Sequence, residues 1–154
     1  MAQNTTRKKV LAVASGGGHW VQLLRLRPAF LGSDVVFVSV NHAYQADVEN
    51  SKFYRVLDAT RWTKLRFIFS VLQIFFVLCK ERPNIVISTG AAPGYAAIRI
   101  GKFFGARTIW IDSIANVEHL SMSGAMAGRH ADLWLTQWSH LQQQDGPHFK
   151  GAVL

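Results

Sequence analysis

One cysteine, Cys79, stands among 154 residues. No disulfide can therefore form within the chain, and the composition fits a reducing compartment. Charge is scarce too: 17 % of the residues are charged, nine of them acidic against seventeen basic. The net charge of +8 points to an anionic partner, with nucleic acid, phosphorylated ligands and an acidic membrane surface all eligible. Nucleic acid is the poorest fit, because the basic residues are scattered and no recognised module is present. No apolar run reaches the roughly 20 residues that span a bilayer. The polar start MAQNTTRKK and the short VLAVA behind it do not make a signal-peptide core. Neither a secretion signal nor an N-terminal anchor is expected, and the chain should work on the cytoplasmic side. No repeat or low-complexity linker divides the sequence, so 1–154 is expected to be one domain. No cluster of Cys, His and Asp has metal-ligand spacing, so no metal site is expected.

Apolar residues make up 49 % of the chain and aromatics 12 %. That excludes disorder and suggests a partly greasy exterior. The apolar pattern alternates between short strand-like runs and helical ones. KVLAVA (9–14), VVFVSV (35–40), FYRVLDA (53–59), NIVIST (84–89), RTIWID (107–112) and ADLWLTQ (131–137) read as strands. WVQLLRLRPAFL (20–31), TKLRFIFSVLQIFFVLCK (63–80), GYAAIRIGKFF (94–104) and a stretch near 118–128 read as helices, with FKGAVL (149–154) closing the chain. Alternation of this kind predicts an α/β fold, a Rossmann-like, doubly wound parallel sheet.

Ligands of such sheets bind where strands turn into helices, and two glycine-rich turns fall there. They are Ser15-Gly16-Gly17-Gly18-His19 and Thr89-Gly90-Ala91-Ala92-Pro93-Gly94. Glycine lets a ligand approach bare backbone, and the following helix offers unpaired N–H groups and a positive dipole end. Phosphate is the natural guest; the bland alternative is a pair of tight turns. No Gly-Lys-Ser/Thr follows, so this is not a Walker loop, and the spacing misses the dinucleotide fingerprint. His19 either caps its helix or acts. An imidazole titrates near neutrality, about pH 6.5, as a general base requires.

The run from Phe67 to Cys79 contains only Ser70 and Gln73 as polar residues. On a helix, Arg66, Ser70, Gln73 and Lys80 make one narrow polar stripe, leaving an apolar face far wider than the ~100° needed to cover a sheet. Arg61, Lys64 and Arg66 precede it, and Lys80 and Arg82 follow. This suits a helix, about 62–81, partly sunk in an anionic membrane interface. Trp62, Phe67, Phe69, Phe75 and Phe76 would be its apolar contacts, Trp62 at the interface level. Burial on both sides, or against a partner, is the alternative.

In order, SGGGHWVQLLRL (15–26), ISTGAAPGYAAI (87–98), WIDSIANVEHLSMSG (110–124) and ADLWLTQW (131–138) resemble a known family. It is the membrane-associated subunit of split UDP-GlcNAc transferases in dolichol-linked oligosaccharide assembly. The likeness is stronger to bacterial relatives in capsule, exopolysaccharide and lipopolysaccharide synthesis, and it runs from about residue 9 to 154. The resemblance implies the N-terminal, acceptor-binding half of a GT-B glycosyltransferase. A separate GT-B subunit would bind the UDP-sugar, so no cofactor is expected in this chain. The acceptor would be a polyprenyl-diphosphate-linked glycan. A single-chain relative has a similar GGTGGH loop facing the lipid diphosphate, and its histidine matches His19. By that analogy Ser15, Gly16, Gly17, Gly18, Thr89, Gly90, Pro93 and Gly94 cradle an acceptor diphosphate, and His19 takes or orients the acceptor hydroxyl proton.

Eukaryotic members usually carry an N-terminal transmembrane helix that this sequence lacks, leaving membrane contact to 63–80. Asn116 stands where the family often has arginine, in a stretch that also holds Ser113 and Glu118 as candidate contacts. Glu118 is a second candidate for catalysis or merely a favourable charge at a helix start. His42 and Tyr44, in the loop after the second strand, either touch acceptor sugar or are ordinary loop residues. The sequence ends about where a linker to a nucleotide-binding domain would begin in a fused enzyme. The expected role is the acceptor-binding, membrane-associating subunit of a heteromeric glycosyltransferase, inactive alone. A non-catalytic membrane scaffold and a self-contained enzyme on a soluble phosphorylated metabolite remain the alternatives.

Overall fold

A computed structural model describes residues 7–58 and 64–153. Seven strands form one parallel sheet in the order β3-β2-β1-β4-β5-β6-β7. They are β1 (Lys9–Val13), β2 (Asp34–Ser39), β3 (Lys52–Arg55), β4 (Ile85–Ser88), β5 (Arg107–Ile111), β6 (Leu133–Thr136) and β7 (His148–Phe149). The helices are α1 (Gly18–Arg25), α2 (Lys64–Glu81), α3 (Ala91–Phe103) and α4 (Met122–Gly128), with short 3₁₀ segments at Arg27–Phe30, His42–Val48 and Ser139–Leu141. The expected doubly wound α/β class is what the chain adopts.

Strand pleating sorts the core into two layers. From β1, Val10, Ala12 and Ala14 pack with Trp20, Leu23 and Phe30 on the α1 face. Leu11 and Val13 pack with Ile74, Leu78 and Ile98 on the α2–α3 face. The chain builds outward from β1 to β2 and β3, and α2 then carries it back past β1 to β4. The strand order reverses there, so β1 and β4, paired from Val10↔Ile85 to Val13↔Ser88, flank the topological switch point.

Local boundaries depart from the periodicity in three places. The helix expected over 20–31 begins at Gly18 and breaks after Arg25, the 3₁₀ turn Arg27–Phe30 taking over. Pro28 explains the break, since it has no N–H to continue an α-helix. The helix expected near 118–128 begins only at Met122, where the Ser121 side chain accepts the Gly124 N–H at 2.8 Å. Glu118 is therefore an exposed loop residue and not part of a helix start. The strand expected over 53–59 is confined to Lys52–Arg55.

The greasy helix α2 is anchored at its far end by Glu81, which is buried. Its carboxylate accepts from Tyr54 Oη at 2.7 Å, Lys9 Nζ at 3.0 Å and Lys52 Nζ at 3.3 Å. Burial alone would push this carboxyl up, but the tyrosine and the two ammonium groups hold it below the ordinary carboxylate range. Arg82, in the left-handed region at φ 45°, ends the helix.

Along α2 the polar stripe reaches water only at its ends, Arg66 and Lys80. Ser70 is buried and its Oγ has no partner among the described residues. Gln73 accepts the Leu57 N–H at 2.8 Å. The opposite, apolar arc is the one left outside: Leu65, Ile68, Phe69, Leu72 and Phe76 are 45–74 % exposed. Phe75 extends this surface to Phe104 at the end of α3, with ring centroids 5.6 Å apart. Among the described residues no helix is long and apolar enough to cross a membrane.

Candidate functional site

Both glycine turns lie at the carboxyl edge of the sheet, one on each side of the switch point. Gly17, with φ 62° and ψ −133°, turns the chain from β1 into α1, and its N–H donates to Tyr44 Oη at 2.9 Å. Tyr44 itself stacks on Trp20, centroids 4.9 Å apart and planes 11° from parallel. Trp20 in turn donates its indole N–H to Asp47 at 2.8 Å. The loop after β2 thus splints the first glycine turn. Tyr44, an undecided loop residue in the sequence, is a positioning residue for that turn. His42 beside it is exposed.

His19 closes the gap to the second turn. Its Nδ1–H donates to the Thr89 carbonyl at 2.9 Å, and Thr89 Oγ1 donates back to the His19 carbonyl at 2.7 Å. A carbonyl can only accept, so it fixes the proton of the neutral ring on Nδ1 and leaves Nε2 with its lone pair. Nε2 has no hydrogen-bond partner among the described residues. Gly90, at φ 146° and ψ 178°, passes directly under the ring, where an added Cβ would collide with Nδ1 and Cε1. Its N–H donates to Ser88 Oγ at 3.2 Å. Gly94 lies so close to that same hydroxyl that a side chain there has no room. Ala91 follows at φ 65°, a strained state for a residue with a Cβ. Pro93 is buried in the first turn of α3, where its missing N–H costs nothing.

A cavity of about 860 Å³ opens below these turns on the α2–α4 side. Ser15, Gly16, Ala91 and Ala92 line its upper end, with Asp58 and Lys64 also contributing. Phe67, Ile68, Tyr95 and Met126 are among its walls. His19 is not part of the lining; the Gly90–Ala91 backbone joins the two, Gly90 against the ring and Ala91 against the cavity. The first turn of α3 brings unpaired N–H groups to this edge.

The loop 113–121 is organised by a residue the motif reading passed over. Asp112, buried at the end of β5, accepts from the Ser113 N–H (3.0 Å), Asn116 Nδ2 (3.2 Å), Ser121 Oγ (2.6 Å) and the Ser121 N–H (2.9 Å). Gln22 and Gln137 both donate to its carbonyl, at 3.1 and 3.0 Å. Ser113 and Asn116 thus spend their groups on this turn, Ser113 Oγ accepting the Ala115 N–H at 3.3 Å. The signal was available: an acid closing the apolar strand RTIWI must be satisfied internally. Of the expected membrane contacts, Phe69, Phe75 and Phe76 are exposed, as are Lys64 and Arg66. Phe67 instead turns to the cavity, and Arg61 and Trp62 lie outside the described residues. Exposed Phe103, Phe104 and Met126 extend the apolar surface and were not foreseen.

Fold and site define the class: a Rossmann-like half of a GT-B fold, with a glycine-lined crevice at its switch point. The sequence model of the family described as "Oligosaccharide biosynthesis protein Alg14 like" matches residues 39–153, and the chain belongs to that family. It is similar to the UDP-N-acetylglucosamine transferase subunit ALG14 of Yarrowia lipolytica, with 25 % identity over 88 % of this chain and 76 % of the relative. Among solved structures it is similar to MurG of Acinetobacter baumannii, with a TM-score of 0.76 and 11 % identity over 94 % of this chain and 45 % of that one. A UDP-N-acetylglucosamine 2-epimerase from Rickettsia bellii gives a TM-score of 0.71 and 14 % identity, over 96 % of this chain and 46 % of the other. The chain spans less than half the length of these two structures.

Proposed function

We propose that this chain is the acceptor-binding, membrane-associating subunit of a heteromeric glycosyltransferase in surface polysaccharide synthesis. It would present a polyprenyl-diphosphate-linked glycan to a UDP-sugar held mainly by a separate GT-B subunit, at the cytoplasmic face of the membrane. The observation that carries the reading is the His19–Thr89 contact, which puts the proton of the neutral ring on Nδ1 and ties the two glycine turns together across the switch point. The acceptor oxygen attacks the anomeric carbon, its proton passes to His19 Nε2, and the bond from that carbon to the UDP oxygen breaks. UDP leaves with the electron pair, stabilised by the partner; no cofactor or metal is assigned to this chain.

Ser15, Gly16, Gly17, Gly18, Thr89, Gly90, Pro93 and Gly94 shape the diphosphate cradle in this reading. The Gly17 and Gly90 N–H groups are taken by Tyr44 and Ser88, so Gly16, Gly18 and the first turn of α3 would supply the N–H donors and the dipole. The exposed apolar arc of α2, flanked by Lys64, Arg66, Lys80 and Arg82, supports membrane contact. Glu118, His42 and the 113–121 loop lie in loops at the same edge of the sheet, where they are offered to acceptor sugar or partner. The Yarrowia relative's name makes UDP-N-acetylglucosamine the first donor to try.

The test is transfer of radiolabel from a UDP-sugar into membrane lipid extract by this chain alone, with its partner, and with the partner plus His19→Ala. Label is expected only with both chains, and at least about a hundredfold less with the variant. Transfer that needs the chain but ignores His19 would make it an anchoring scaffold, favoured by the apolar α2 surface. Transfer by the isolated chain would refute the split-site reading.

A further inference from the structure

The cavity below the glycine turns has two chemically distinct ends. One is the carboxyl edge of the sheet, with Ser15, Gly16 and the first residues of α3, and Lys64 at the start of α2 lines the same cavity, a set suited to an anion. Toward α2 and α4 the wall is Phe67, Ile68 and Met126, with Tyr95 of α3, while Val40 lies beside Gly16. Its volume of about 860 Å³ lies within the range of small-molecule sites, about 300–1,000 Å³. A sugar would find few fixed hydrogen-bonding side chains on that apolar wall, whereas a hydrocarbon is matched by it. Methionine adds a flexible, polarisable surface that adapts to irregular chains.

We infer that this cavity binds the first isoprene units of a prenyl diphosphate, so that the chain recognises its lipid carrier by the hydrocarbon next to the phosphates. The inference rests on the acceptor reading above and adds a subsite to it. Two observations commit the cavity to this occupant. The lining combines the two characters such a ligand needs, bare backbone of two glycine turns with Lys64 on one hand and Phe67, Ile68, Tyr95 and Met126 on the other. The apolar wall is also continuous with the outer surface of α2. Ile68 lines the cavity and is 53 % exposed, in the same row as Leu65, Leu72 and Phe76, while Met126 is 46 % exposed. A cavity of this size cannot hold a long polyprenyl chain, so the remainder would leave over Ile68 and onto that surface. Asp58 is the one carboxylate among the described residues of the lining and opposes an anion, so Asp58→Asn should tighten binding.

The experiment is calorimetric titration of the full chain with geranyl diphosphate and with inorganic diphosphate. Ile68→Gln and Met126→Gln make the cavity wall polar without adding charge, and Phe76→Glu alters the outer surface alone; all three sites are about half exposed or more, so the core is spared. Geranyl diphosphate should bind at least tenfold tighter than inorganic diphosphate. Each cavity variant should erase that preference without changing inorganic diphosphate binding, and Phe76→Glu should keep it. Equal affinity for the two probes would overturn the inference. So would a preference that survives both cavity variants, or one that falls equally with Phe76→Glu, which would be adsorption to a greasy surface. The titration needs neither partner nor turnover. Loss of the prenyl preference with transfer intact sinks the cavity assignment alone, and prenyl binding without transfer sinks the subunit reading alone.

Discussion

Gly90→Ala puts the central geometry to a quantitative test. The residue sits at φ 146° and ψ 178°, a region nearly closed to residues with a Cβ, and holding alanine there costs about 1–3 kcal/mol. The new methyl would also overlap the His19 ring. If the ring swings away, the Nδ1–H bond to the Thr89 carbonyl is lost, about 1 kcal/mol. An off-rotamer side chain adds about 0.5–1.5 kcal/mol. The sum is about 3–5 kcal/mol, a large share of the ~5–15 kcal/mol that stabilises a typical domain. At about 2–4 °C per kcal/mol for a chain of this size, the midpoint of thermal unfolding should fall by roughly 6–20 °C. In a His19→Ala background the overlap disappears and only the backbone cost of about 1–3 kcal/mol remains. A double-mutant cycle from denaturant unfolding should therefore give a coupling of about 2 kcal/mol. Additivity within about 0.5 kcal/mol would refute the claim that Gly90 exists to admit the imidazole.

Three further outcomes are expected. Tyr44→Phe keeps the Trp20 stack but removes the hydroxyl that accepts the Gly17 N–H; stability should drop by only about 1 kcal/mol, while amide exchange at Gly17 should speed up and acceptor KM rise. Arg82→Gly relieves a left-handed residue at the α2 terminus and should raise stability by about 0.5–1 kcal/mol, read by urea unfolding. Glu81→Gln weakens the charged hydrogen bonds from Lys9, Lys52 and Tyr54 and should cost about 1.5–3 kcal/mol at neutral pH. Because the folded carboxyl lies below its unfolded value of 4.5, its stabilisation is present above that pH and is lost as pH falls through the lower folded value. The gap between wild type and variant should therefore close in acid; a gap independent of pH from 7 to 3 would contradict the assignment.

The first six strands and the two glycine turns were legible because each is a local signal: apolar runs that form strands of four to six residues, two of them followed by glycines. What joins them was not. His19 and Thr89 are 70 residues apart and meet only because β1 and β4 are neighbours in a sheet whose order reverses between them. No spacing rule carries that information, although the Rossmann crossover rule implies it once the strands are assigned. Helix α2 shows the complementary limit. Its periodicity gives the width of the apolar arc but not which part meets the sheet. A polar stripe would ordinarily be turned to water, yet Ser70, Gln73 and Glu81 are drawn inward, and Leu65, Phe69 and Phe76 are left outside. Two of the inward residues have identifiable partners, Leu57 for Gln73 and the Lys9–Lys52–Tyr54 group for Glu81. All of these lie on the strands or strand ends that α2 must reach to return the chain from β3 to β4. The helix is thus oriented by polar contacts at the cost of exposing hydrocarbon, the reverse of what burial alone would select. An isolated folded chain gains nothing from that choice, and it becomes favourable only when something apolar covers the outer arc.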